Sequence, residues 1–409
     1  MQAAAAFALV SGAALWRARR LRDPVETLIA HMLSGTPAPR RLERSVPERD
    51  PAARHAGCVS VARELCPGWS DVEPGAIEVS TLQGGLTNQL YLLRAPSRPE
   101  LGGVLVRLYG LNTEIIIDRK VEEIVFHLLS LKGFGPKLYG LFGNGRVEGF
   151  VPSEQVAPPD LSRRDKNVPQ LIARELARMH ELDMPLPREP HLWDFLRKFD
   201  RLTQGMALPE DPAAQARLDA LDLAALRRRL DKLERELLPS QHNAHGRRLV
   251  ADSEGEAERL AKQFLFEPVF CHNDALAGNV LLLPDRVQLI DFEYGKYNYR
   301  GFDFGNHFCE YAGFDFDLDR WYPDKHAQRY FLEHYIAAMR DGELRRQLKA
   351  DKQLEDAFYE HCHEWCNRFA EAANFLWGLW ALIQKMFSPI DFDFLDYARL
   401  RTSAIPKHL

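Results

Sequence analysis

The stretch FCHNDALAGNVLLLPDRVQLIDFEYGKYNYRGFD, Phe270 to Asp303, decides the fold. It holds His272-x-Asp274, then Asn279 five residues after Asp274, an apolar strand, and Asp291-Phe292-Glu293. A short loop followed by a tight hairpin brings Asp274, Asn279 and Asp291 to one point. One carboxylate can then meet an incoming hydroxyl, while an amide oxygen and a second carboxylate hold Mg²⁺ on phosphates. Taken singly, Asp274 and Asn279 read as turn formers and Asp291 as a strand-end acid. Their joint spacing favours the chemical reading.

Upstream, LQGGLTNQLYLL (Leu82 to Leu93) supplies a candidate phosphate loop. Gly84 and Gly85 let the backbone approach anionic oxygens without Cβ obstruction, and Thr87 and Asn88 add donors. A lone Gly-Gly turn is more often a plain hairpin, but this one sits at the first turn of a small sheet. The next strand, VLVRLYG, carries Arg107 where protein kinases place a lysine. Arginine is permanently charged and forks onto phosphate. Its expected partner is an acid on the following helix, Glu122 or Glu123.

Around these motifs the chain divides into an extension and linker over 1–57, a sheet-and-helix lobe over 58–151 and a helical lobe over 152–409. Thr36 to Pro51 is Pro- and charge-rich and reads as a solvated linker. From Ile77 to Phe150 short strand-like runs alternate with Gly-rich turns and predict a small antiparallel sheet. One helix interrupts it, DRKVEEIVFHLLSLKGF, with apolar residues at helical spacing and Gly133 where it would stop. After a hinge near Phe150–Pro152 the pattern turns to long helices. Pro212–Leu238 reads as one amphipathic helix rather than a coiled coil, because its leucines lack a strict 3.5-residue spacing.

With 53 basic and 58 acidic residues the formal charge is −5, which gives no support to a nucleic-acid binder. Six cysteines at irregular spacings do not form a disulfide framework and point to a reducing, cytoplasmic compartment. Ala3 to Trp16 is apolar but too short to span a bilayer, and its arginines follow it instead of preceding it. It reads as a plain extension, with a presequence or weak anchor as the alternative; stable membrane insertion is not expected. His361-Cys362-His363-Glu364-x-Cys366 has metal-ligand residue types but no companion C-x-x-C, so an ordinary helix is the expectation.

Taken together, GGLTNQL, VLVRLYG, GPKLYGLF, FCHNDALAGN, LIDFEYGKYNYRGFDFGNHFCEYAG and FLWGLWALIQKMFSPIDFDFLDYA resemble the choline/ethanolamine kinase family from about Glu78 to Ala398. The resemblance implies an α+β, bilobal, protein-kinase-like fold that uses ATP and Mg²⁺. By it, Asp274 is the catalytic base, Asn279 and Asp291 are the metal ligands, and Arg107 paired with Glu122 holds the phosphates. Adenine would lie against Phe150 and Val151, and Asp303 would brace the catalytic loop. The family's head-group pocket maps onto Tyr294, Glu310, Trp377, Trp380 and Tyr397. Some relatives are dimers, which leaves a homodimer open.

A cationic head wants aromatic faces and one carboxylate, and Trp377 and Trp380 stand three apart on an apolar helix. Read without the family, two such tryptophans are core residues. A primary ammonium donates three hydrogen bonds, whereas a quaternary head needs fuller aromatic enclosure. The EYAG, YPD and WALIQ strings look more like those of ethanolamine kinases, a resemblance that implies ethanolamine as substrate. YNYRGFDFGNHFCE looks more like choline kinases, with Phe314 or Phe316 as the extra ring, a resemblance that implies choline or dual use. A phosphotransferase for other small alcohols would keep Asp274, Asn279 and Asp291 but not the paired tryptophans. A non-catalytic scaffold is disfavoured, because all three nominal catalytic positions are filled.

Overall fold

The computed structural model describes residues 27, 29–82, 88–110, 113–238, 255–388 and 390–403. The smaller lobe runs β1 (Arg41–Leu42), α1 (Pro51–Leu65), β2 (Glu78–Leu82), β3 (Gln89–Arg94), β4 (Val104–Leu108), α2 (Arg119–Leu131), β5 (Leu138–Phe142) and β6 (Gly145–Gly149). Its sheet has the order β1-β5-β6-β4-β3-β2. Every neighbouring pair is antiparallel except β1 with β5, so the expected antiparallel sheet gains one parallel edge strand.

That strand corrects the reading of 36–51 as a solvated linker and of 58 as the lobe's start. Arg40 and Arg44 carbonyls accept the Leu141 and Gly143 N–H groups, and Val46 is buried with Cys58 and Leu65 in the lobe's core. The prolines and charges there flank an edge strand, where both are tolerated.

Alternation fixes the two faces of the sheet. Val104 and Val106 of β4 and Val147 of β6 pack beneath α1. The opposite face of the same strands carries Arg107, Arg146 and Glu148, all buried. Arg107 and Arg146 are direct cross-strand partners, a like-charge arrangement that survives only because carboxylates surround it. β6 escaped the sequence reading for this reason: its inward face is ionic, so it lacks an apolar alternation. Helix α2 starts on Asp118, whose side chain accepts the Val121 N–H, and the chain reverses at Gly133 with φ +68°.

The larger lobe continues with β7 (Glu154–Gln155), α3 (Val168–His180), α4 (Leu192–Thr203), α5 (Pro212–Ala220), α6 (Leu223–Leu237), α7 (Glu256–Leu265), β8 (Pro268–Cys271), β9 (Val280–Leu282), β10 (Val287–Leu289), β11 (Lys296–Tyr299), α8 (Arg300–Cys309), α9 (Leu318–Trp321), α10 (Lys325–Ala338), α11 (Glu343–Ala350), α12 (Lys352–Phe387) and α13 (Phe394–Ser403). The single helix expected over 212–238 is two, because Asp222 adopts φ 45° and caps α6 through the Ala225 N–H. β7 joins β9 and β10, and β11 pairs with β8, so two small sheets frame the loop between β8 and β9. Among the described residues no helix is long and apolar enough to cross a membrane. Ala3–Trp16 and most of the polar run His242–Glu258 lie outside the described residues.

Candidate active site

The loop between β8 and β9 hangs from Asp303 in the first turn of α8. Asp303 Oδ2 accepts the His272 N–H at 2.8 Å and Oδ1 accepts the Asn273 N–H at 2.7 Å. His180 Nε2 lies 2.9 Å from the same carboxylate. Burial alone would raise the Asp303 pKa, but the His180 hydrogen bond and the neighbouring imidazoles hold it below the usual carboxylate range. Asn273, at φ 64°, donates from its side chain to the Tyr294 carbonyl at 2.9 Å. The catalytic loop and the Asp291–Tyr294 turn are thereby stitched together.

Asn279 donates from Nδ2 to the Asp274 carbonyl at 2.9 Å and to Asp274 Oδ2 at 3.1 Å. Asp291 sits at φ 63°, a left-handed conformation that a non-glycine residue keeps only when its surroundings enforce it. Its Oδ2 accepts from Arg107 at 3.1 Å, while Oδ1 is buried with no partner among the described residues. Glu293, two residues on, is also buried and lies 3.4 Å from Arg119.

Electrostatics separates these acids. Burial, followed by the charges of Glu310, Glu293 and Asp291, pushes Asp274 well above the usual carboxylate range. Burial and Asp291 also raise Glu293. Asp291 is held low, because Arg107 and Arg146 outweigh its burial. A cavity lined by four buried or partly buried carboxylates is one that favours entering cations.

Asp274, Asn279 and Asp291 line a single cavity of about 310 Å³ together with Tyr294, Glu310, Trp377, Trp380 and Tyr397. The residues predicted for chemistry and for the head group therefore meet in one space. The Trp377 and Trp380 rings are 5.8 Å apart at 78°, and Tyr294 meets Trp377 edge-on at 5.3 Å. Trp377 Nε1 donates to Asn306 on α8 at 2.6 Å, which fixes that indole. Phe314 lines the cavity and is 44% exposed, whereas Phe316 is buried under the Arg401 guanidinium at 4.2 Å.

Several expectations need correction. Arg107 does not pair with Glu122 or Glu123. It bonds Asp291 and, at 3.5 Å, Glu148 on the neighbouring strand. Glu122 is taken by Arg146 and by Arg119 at 2.8 Å, and Glu123 by Arg41 and Tyr109. A second buried arginine on β6 intervenes between Arg107 and the helix. The expected adenine wall at Phe150 and Val151 is a separate matter: the cavity takes its lining from residue 156 onward, and the Phe150 ring lies 5.2 Å from the Arg94 guanidinium. Gly84, Gly85 and Thr87 lie outside the described residues; Asn88 is buried and accepts the Gly110 N–H at 3.4 Å.

In the His361–Cys366 cluster, Cys362 and Cys366 are buried in the main core. His361 meets Glu364, and His363 meets Gln328 and Asn367. Those side chains leave α12 in different directions. Sequence reasoning missed Glu293, Arg146, Glu148 and Arg401. Arg401 had a signal, since it stands one helical turn after Tyr397 and so shares its face.

The family model described as choline/ethanolamine kinase matches residues 79–405. A probable ethanolamine kinase of Arabidopsis thaliana is 34% identical over 353 residues, covering 85% of this chain and 84% of the relative. A choline/ethanolamine kinase of Homo sapiens is 34% identical over 383 residues, covering 89% and 87%. Among solved structures, an ethanolamine kinase of Plasmodium vivax superposes with a TM-score of 0.66 at 25% identity, covering 87% of this chain and 89% of that one. On its motifs, its fold and these matches, the chain belongs to the choline/ethanolamine kinase family.

Proposed function

We propose that the protein transfers the γ-phosphate of ATP to the hydroxyl of ethanolamine, giving phosphoethanolamine and ADP. One observation carries this: a phosphoryl-transfer set and a ring-lined, acid-bearing wall share one cavity of about 310 Å³. Asp274 would accept the hydrogen bond of the substrate hydroxyl, align it with the phosphate, and take its proton as the new P–O bond forms. Its raised proton affinity favours accepting that proton.

The donor set fits a hard cation. Asp291 Oδ1 is buried without a partner, and the Asn279 amide oxygen has none among the described residues. Asp291 and Asn279 would hold Mg²⁺, which when bound neutralises charge on the phosphate oxygens. Arg107, permanently charged beside Asp291, would bind the phosphates. Trp377, Trp380, Tyr294 and Tyr397 present faces and edges to the ammonium, and Glu310 supplies the counter-charge.

Ethanolamine is favoured by acceptors for its N–H groups: Glu310 Oε2, which makes no hydrogen bond among the described residues, and the Tyr294 hydroxyl. Choline is the second reading. It is favoured by Phe314, which adds a ring 5.5 Å from Tyr397 at the cavity wall. The six cysteines are free thiols, in keeping with a cytoplasmic location. Incubation with MgATP and each amine, followed by ³¹P NMR, tests the proposal. A new phosphomonoester with ethanolamine supports it, and ADP formation without either phospho-amine would refute it.

A further inference from the structure

Glu310, the acid assigned to the head group, is not free to meet a cation with both oxygens. Its Oε1 accepts from an Arg401 terminal nitrogen at 2.6 Å, between side chains 8% and 1% exposed. The same guanidinium donates to the Tyr397 hydroxyl at 2.8 and 2.6 Å and to Asn374 Oδ1 at 3.2 Å. Its plane lies over the Phe316 ring. Arg401 therefore ties the turn after α8, helix α12 and helix α13 together at the cavity wall.

A buried cation next to a site for another cation weakens that site by Coulomb repulsion, so its presence calls for a compensating role. Without it, Glu310 would be a buried, unpaired charge beside Asp274, Asp291 and Glu293, which line the same cavity. Such a carboxylate would turn away or take up a proton, and the head group would lose its counter-charge. Tyr397, a wall of the slot, would also lose the donors that orient its hydroxyl.

We propose that Arg401 is the positioning residue of the ammonium subsite: it holds Glu310 Oε1 and the Tyr397 hydroxyl, and so presents Glu310 Oε2 to the head group. This rests on the amine-kinase reading above. Its influence reaches Asp274 only as a minor opposing charge, so the effect falls on amine binding more than on the chemical step.

The test is a double-mutant cycle of Arg401→Gln and Glu310→Gln, with KM for ethanolamine, KM for ATP and kcat measured for each protein. Arg401→Gln should raise the amine KM at least tenfold, with the ATP KM within about twofold and kcat within about fivefold. The double variant should fall well short of the product of the two single effects, because Arg401 acts mainly through that carboxylate and only secondarily through Tyr397. Arg401→Lys, which keeps the charge, should recover most of the amine KM. If Arg401→Gln does not melt cooperatively, the double variant, which leaves no carboxylate without its partner, carries the comparison with Glu310→Gln.

Multiplicative effects of the two substitutions, or equal losses toward ATP and amine, would overturn the proposal while leaving the function intact. A wild-type protein that phosphorylates neither amine would overturn the function and this proposal with it.

Discussion

At the residue scale, Asp274 shows how function opposes stability. Its carboxylate lines a cavity with three other acids, and its pKa is raised by burial and by those charges. In strong acid it is protonated in both folded and unfolded chains and has no effect. As pH rises past the ordinary carboxylate pKa of about 3.9, the unfolded chain ionises while the folded chain resists, so stability falls. Ligand-free Asp274→Asn should therefore melt above wild type, with a Tm advantage that is negligible at strongly acid pH and larger at pH 8. A lower Tm for the variant at pH 8 would contradict the assigned electrostatics.

Asp274, Asn279 and Asp291 could be read from spacing because loop and hairpin geometry ties sequence distance to spatial distance. The partner of Arg107 could not be read this way. It depends on which buried charges neighbouring strands bring up, and β6 brings both Arg146 and Glu148. Replacing Arg146 by Met would leave Glu122 and Glu148 without the arginine between them. We expect a loss of about 3–5 kcal/mol in urea unfolding, the usual result of breaking a buried ionic network from one side. A loss under 1 kcal/mol would mean that Arg107 and Arg119 suffice.

At the scale of elements, the apolar strands β2 to β5 and the catalytic hairpin were legible because each alternates or runs apolar between turn residues. β1 and β6 were not: one lies in a Pro- and Arg-rich edge segment, and the other faces inward with charges. The break between α5 and α6 turns on the single left-handed Asp222, inside an otherwise helical leucine pattern.

The crossing of α8 and α12 is where packing sets the site. A Cβ on Gly305 would stand 2.5 Å from the Ala370 backbone nitrogen and 2.6 Å from the Cys366 carbonyl oxygen. In an open helix Gly→Ala would stabilise by roughly 1 kcal/mol. Here Gly305→Ala should instead cost about 1–3 kcal/mol, as overpacking does. It should also raise the ethanolamine KM, because α8 carries Asn306, which holds Trp377. An unchanged KM would separate the helix crossing from the ring wall.

Across the whole molecule, the acid-rich cavity is walled by the larger lobe; Arg107 of the sheet touches it only through Asp291, and Arg401 of the last helix lines it directly. The bilobal plan was readable because the change from short strands to long helices falls near Phe150. The cavity's charge balance was not, since it depends on residues as far apart as 107 and 401. A native state that gathers acids should be stabilised by cations that the unfolded chain does not bind. Mg²⁺ alone at 100 times its Kd should add about 2.7 kcal/mol, seen as a Tm rise that EDTA reverses and that Asp291→Asn abolishes. No rise in the wild type would remove Asp291 from the metal site.

The most direct measurement is kcat for ethanolamine phosphorylation by wild type and by Asp274→Asn, with phosphoethanolamine quantified as product. Phosphoryl transfer with Asp274 as base predicts turnover by wild type and a loss of at least about 10²-fold in the variant, with both KM values little changed. A folded variant that keeps more than about a tenth of wild-type kcat would contradict it.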